Sequence, residues 1–122
     1  MSENKRKSDE ILEQMLELSA QVIKYLQTKE SVPRSVAEQL TRSVTSIGAN
    51  YAESQDASSK KDFLNKIFIA KKESGETKYW LRLVGKLVGE DSKQQNFIQK
   101  VQYFSMMFQK IINTSNGRKT DK

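Results

Sequence analysis

Four segments of this chain carry apolar residues at three- and four-residue intervals, and none alternates with a period of two. The first runs from about Asp9 to Thr28. Ser8 is its expected N-cap, and Ile11, Leu12, Met15, Leu18, Val22, Ile23 and Leu26 fall on one face. The second runs from Pro33 to Ser54 and places Val36, Leu40, Val44, Ile47 and Tyr51 together. Pro33 suits the first turn, where its missing N–H leaves nothing unpaired. Gly48 lies inside this segment and weakens it locally by about 1 kcal/mol relative to alanine. The third and longest runs from Lys60 to Val88, after a possible cap at Ser58 or Ser59 and before a terminating Gly89. The fourth runs from Ser92 to about Asn113, with Phe97, Val101, Phe104, Phe108 and Ile111 inward. Short connections between successive helices predict an all-α fold, an up-down-up-down four-helix bundle.

The third segment has three faces. Phe63, Ile67, Ala70, Ser74, Thr77, Leu81, Val84 and Val88 form the core stripe. A second stripe holds Ile69, Glu73, Glu76, Trp80, Leu83 and Leu87. A bundle helix needs one apolar stripe, so Ile69, Trp80, Leu83 and Leu87 are the expected oligomer interface; the alternative is that Trp80 and Leu87 cover bundle edges. The third face is basic: Lys60, Lys61, Lys71, Lys78, Arg82 and Lys86, with Lys72 at its margin. This one segment holds eight basic residues against Asp62, Glu73 and Glu76, most of the whole chain's net charge of +6. Charge concentrated on one element suits a nucleic-acid interface, and a solvated lysine face is the competing reading.

Composition narrows the chemistry. The 122 residues make one domain, with an ordered core expected over about 8–114 and a disordered tail from Arg118 to Lys122. There are no cysteines and no histidines, so disulfides, thiolate chemistry and the commonest general base are absent. Glycine-rich phosphate loops and paired zinc-ligand spacings are also missing. We therefore expect no enzyme activity, no metal and no cofactor. Ser58-Ser59-Lys60-Lys61 could hold an anion at a helix start, but an ordinary cap explains it as well. The pI of about 9.5 favours an anionic partner, with nucleic acid ahead of membrane. No apolar run approaches a membrane span, and no secretory apolar region follows the charged Met1–Lys7, so a cytoplasmic location is expected.

The second segment is unusual in carrying Arg42, Ser46, Asn50 and Glu53 beside its apolar stripe. One carboxylate without histidine or a paired acid has little catalytic reach. A structural polar network with Glu73, near the bundle interior, is the stronger reading.

These residues also carry a resemblance. Glu38-Gln39-Leu40-Thr41-Arg42-Ser43-Val44-Thr45-Ser46-Ile47-Gly48-Ala49-Asn50-Tyr51-Ala52-Glu53 resembles Gln-Leu-x-Arg-Ala-x-x-Ser-Ile-x-x-Asn-Ile-Ala-Glu-Gly. That is the signature of the small bacterial four-helix-bundle proteins encoded by intervening sequences in 23S ribosomal RNA genes, also called S23 ribosomal proteins. Phe63, Ala70, Glu73 and Glu76-Thr77-Lys78-Tyr79-Trp80-Leu81 match the helix that follows, so the likeness spans Val36 to Val88. Gly48 stands where the family often has proline, which keeps a bend there expected. Ser54 replaces a glycine and leaves the end of the second helix open. The resemblance implies a homo-oligomer, a pentamer first, without known enzymatic activity. A related branch comprises the accessory variability determinant proteins of diversity-generating retroelements, which serve reverse transcriptases. Two functions follow as expectations: an oligomeric module binding nucleic acid, structured RNA first, or a scaffold meeting an acidic protein such as a reverse transcriptase.

Overall fold

In a computed structural model describing residues 2–117, four helices follow one another: α1 (Glu3–Gln27), α2 (Arg34–Gln55), α3 (Lys60–Val88) and α4 (Ser92–Ser115). No strand occurs among the described residues, and the fold is all-α. The tail from Arg118 to Lys122 lies outside the described residues. α3 packs along both α2 and α4, α2 also packs on α1, and α1 and α4 meet only briefly.

Each helix boundary has a local cause. α1 begins six residues before the expected start, because Ser2 rather than Ser8 is its N-cap, with Ser2 Oγ accepting from Lys5 N–H at 3.1 Å. The added turns are exposed and carry no apolar repeat. They are built of good helix formers, with a Lys5–Asp9 pair at 3.1 Å. Pro33 sits at the N-cap of α2 rather than inside it, and the helix runs unbroken through Gly48 to Gln55. Gly48 is buried, and a Cβ there would come within 3.3 Å of Met15 Cβ, so the small residue lets α1 and α2 close up. α3 has the expected bounds. Ser59 Oγ caps it by accepting from Asp62 N–H at 3.0 Å, and Gly89 ends it at a φ of +98°.

The core gathers Met15, Leu18, Val22, Tyr25, Leu40, Val44, Ile47, Ile67, Leu81, Val84, Val101, Phe104 and Phe108 among others. On α4 the last inward residue is Ile112, one step past the expected Ile111, which is half-buried beside it. The polar groups in the interior are paired. The Ser43 and Thr77 hydroxyls meet at 2.9 Å across α2 and α3. Gln94, only 1% exposed, donates to the Leu81 carbonyl at 2.9 Å.

One end of the bundle is tied by Asp91. It caps α4 by accepting from Gln94 N–H at 2.8 Å, accepts from the Tyr25 hydroxyl at 2.9 Å and pairs with Lys29 at 3.3 Å. The capping amide, with the help of Tyr25 and Lys29, holds its carboxyl below the usual range. Burial and the same carboxylate push the Tyr25 phenol up to about 12.

Candidate nucleic-acid interface

The charges of α3 are sorted by face. Glu73 and Glu76 both turn toward α2, where Arg42 donates to Glu73 at 3.2 Å and also to Glu76. Asp62 lies at the start of the helix and accepts from Ser58 N–H. Lys66 is drawn to the same side and pairs with Glu53 of α2 at 2.8 Å. The remaining basic residues, Lys60, Lys61, Lys71, Lys72, Lys78, Arg82 and Lys86, have no carboxylate partner among the described residues. Lys78 donates to the Gln102 side chain of α4, which is neutral and leaves its charge in place. Lys60, Lys71, Lys78 and Arg82 recur at intervals of eleven, seven and four residues and so form one line along the helix.

The polar network is differently built from its expectation. Arg42 and Glu73 do meet, but Glu76 joins them, and Gln39 accepts from Arg42 Nε at 3.1 Å. Trp80 Nε1 completes the cluster by donating to Glu76 at 3.0 Å. These bonds, Trp80's first and then Arg42's, hold the Glu76 carboxyl below its ordinary value, and the Arg42 guanidinium is raised in turn. Ser46, Asn50 and Glu53 stand apart from this cluster. Ser46 donates to the Arg42 carbonyl and Asn50 to the Ser46 carbonyl, so both serve their own helix. The network also lies on the surface seam between α2 and α3 rather than near the interior, with the Arg42 side chain 45% exposed. A long guanidinium can bridge two carboxylates there while keeping contact with water.

The second apolar stripe is partly occupied within one chain. Trp80 and Leu83 pack on the core margin, Ile69 is half-buried, and Leu87 is 48% exposed. The largest bare apolar groups on α3 are instead Phe68 and Tyr79, at 50% and 60% exposed. Neither belongs to the predicted stripes, because two aromatics eleven residues apart do not make an apolar stripe.

A family model of the 23S rRNA-intervening sequence protein matches residues 7–110. The chain belongs to this family. It is also similar to a crystal structure from Bacteroides thetaiotaomicron, a protein of unknown function from the S23 ribosomal protein family. The two share 31% identity over 84% of this chain and 97% of the other, with a TM-score of 0.75. No curated protein matches the sequence. The matched span takes in all of α2 and α3, and therefore both the Arg42 seam and the cationic line that set this family member's surface charge. Among the described residues, no helix is long and apolar enough to cross a membrane, and no group of three or more acidic side chains could hold a metal ion.

Proposed function

We propose that this family member is a non-catalytic subunit of a cytoplasmic homo-oligomer, a pentamer first, that binds nucleic acid through the outer face of α3. The observation that carries the reading is the segregation of charge. Seven cations stand on one helix without carboxylate partners among the described residues, while Glu73 and Glu76 are turned to the α2 seam, where Arg42 pairs with both and offsets one of their two charges. A phosphate backbone is the ligand that such a line suits, and each phosphate neutralised steepens the salt dependence of binding by a little under one unit. The family's name, which refers to sequences within 23S rRNA, makes structured RNA the first ligand to test. A single subunit offers only a few contacts, and repetition around an oligomer would multiply them through avidity. The absence of histidine and cysteine from the sequence supports a binding role over a catalytic one.

The test is a titration of the protein against structured RNA, duplex DNA and an acidic protein at two salt concentrations, with its mass followed by light scattering. We expect binding to nucleic acid that falls steeply with salt, and a mass several times 14 kDa. Lys71→Glu with Arg82→Glu should weaken that binding and flatten the salt slope without changing the mass. This pair avoids Lys78, whose bond to Gln102 helps hold α4. Unchanged RNA and DNA binding by the double variant would refute the interface. Binding confined to the acidic protein would favour the scaffold role, with a reverse transcriptase as one such partner.

A further inference from the structure

Phe68, Gly75, Tyr79 and Lys86 recur at intervals of seven, four and seven residues, so they share one line on the outer face of α3, beside the cationic line. The two rings are half or more exposed on a rigid helix of 29 residues. Between them Gly75 leaves bare backbone: a Cβ there would meet nothing within 4 Å. Packing among the described residues therefore gives no reason for glycine at this position. Phe68 stands between two shallow depressions, one edged by Lys71 and Lys72 and the other by Lys60 and Lys61. Tyr79 and Trp80 lie edge-to-face, 5.0 Å between ring centroids, and Tyr79 stays open to solvent.

Exposed flat rings interleaved with cations that form no salt bridge among the described residues suit a single-stranded nucleic acid. The rings offer stacking surfaces for unpaired bases and the lysines take the backbone. A duplex hides the faces of its bases and could use only the lysines. We propose that Phe68 and Tyr79 are base-stacking platforms, and that the outer face of α3 prefers single-stranded over duplex nucleic acid. Eleven residues separate the rings, about 16 Å at 1.5 Å per residue. That is roughly five nucleotides at a stacked rise of 3.4 Å, and fewer for an extended strand. The gap at Gly75 leaves room for the intervening strand to lie close to the helix.

This inference rests on the nucleic-acid reading above, and the experiment separates the two. An oligouridylate of about fifteen nucleotides and an RNA hairpin stem are titrated with the parent, Phe68→Ala, Tyr79→Ala, Phe68→Trp, and Lys71→Glu with Arg82→Glu. Each alanine variant should lose about tenfold in affinity for the single strand. Its salt slope and its hairpin affinity should not change. Phe68→Trp, which keeps an aromatic face, should retain the parent's affinity. The emission of Trp80, the sole tryptophan, should change when the parent takes up the single strand. If both alanine variants bind the single strand as the parent does while the charge variant fails, the stacking role is overturned and the interface stands. If the parent binds neither RNA, both readings fall. If the alanine variants lose mass in light scattering, the rings belong to a subunit contact and the stacking role is overturned.

Discussion

Gly75 and Gly85 lie ten residues apart in α3, and the same substitution at each should move stability in opposite directions. At Gly75, an added methyl meets open space. Alanine is better than glycine inside a helix by about 1 kcal/mol, and nothing offsets that gain. At Gly85, the new Cβ would lie 2.6 Å from Gln94 Nε2 and 3.2 Å from both Gln94 Cδ and Glu90 Cγ. Gln94 is at the flexible end of a side chain, but it is buried and its amide donates to the Leu81 carbonyl at 2.9 Å. Moving it leaves a buried donor unpaired, about 1–3 kcal/mol, in addition to the cost of overpacking, about 1–3 kcal/mol. After the helix-propensity gain of about 1 kcal/mol, Gly85→Ala should destabilise by about 3 kcal/mol. Unfolding entropy near 2.1 cal/mol/K per residue gives about 0.26 kcal/mol/K for this chain. Gly75→Ala should therefore melt about 4 °C above the parent and Gly85→Ala about 12 °C below it. Thermal melts by circular dichroism at one fixed protein concentration would measure both, since an oligomer's melting point depends on concentration. A Gly85→Ala protein as stable as the parent would refute the claim that the α3–α4 corner is limited by this approach. A fall for Gly75→Ala would show that the outer face of α3 is packed against something.

Asp91 predicts a response to acid. Its carboxyl is depressed when folded, so its contribution is complete above the ordinary carboxylate value and is lost as pH falls through the folded one. Glu76 has the same sign. Stability should therefore decline in acid, from below about pH 4.5, and Asp91→Ala should cost about 1–2 kcal/mol at neutral pH while flattening that decline; an equally steep decline in the variant would refute Asp91's part. On the α2–α3 seam, Asn50→Ala should leave the melting temperature within about 2 °C of the parent, since Asn50 bonds only its own helix. Arg42→Ala should shift the emission of Trp80 by freeing Glu76, and an unchanged spectrum would separate Trp80 from the network.

The sequence makes the helices legible because their inward residues are large and regularly spaced. Ile67, Ala70, Leu81 and Val84 could not face another way without exposing apolar surface, and Ser74 and Thr77 follow them inward because they share the same stripe. The start of α1 was not legible, because its first turns bury nothing and depend on a serine cap and local charge pairs. The Arg42–Glu73 pair was visible as two polar residues at matching spacing. Its partners were not, since the rotation of α2 against α3 decides whether Glu53 reaches Arg42 or Lys66. Structure brings Lys66 to Glu53 and Glu76 to Arg42. Trp80 illustrates the same difficulty. Its place on a second stripe is a matter of counting residues, whereas its cover comes from a neighbouring helix whose register the periodicity does not contain. Phe68 and Tyr79 are hard to read for a simpler reason: their eleven-residue spacing puts them on one face, but nothing in sequence says whether that face is covered.

The Arg42 seam bears on the cationic face through distance. A carboxylate weakens a neighbouring cation's field most when both lie within a Debye length, about 8 Å at physiological ionic strength. Glu73 and Glu76 are held against Arg42 on the α2 side, with the Arg42–Glu73 separation at 3.2 Å. The line through Lys71, Lys78 and Arg82 lies around the helix, whose diameter with side chains is about 10–12 Å. At physiological salt the acids are thus largely screened from that line, and Arg42 offsets one of their two charges. Had the same two glutamates stood among the lysines, α3 would keep its net charge and lose most of its local potential. The placement of Arg42 on α2 therefore does two things at once: it joins two helices and clears α3's outer face for an anionic ligand. Arg42→Ala should then weaken nucleic-acid binding at low salt, where the freed glutamates are felt across the helix, and have little effect at physiological salt. A loss equal at both salt concentrations would place Arg42 in direct contact with the ligand instead.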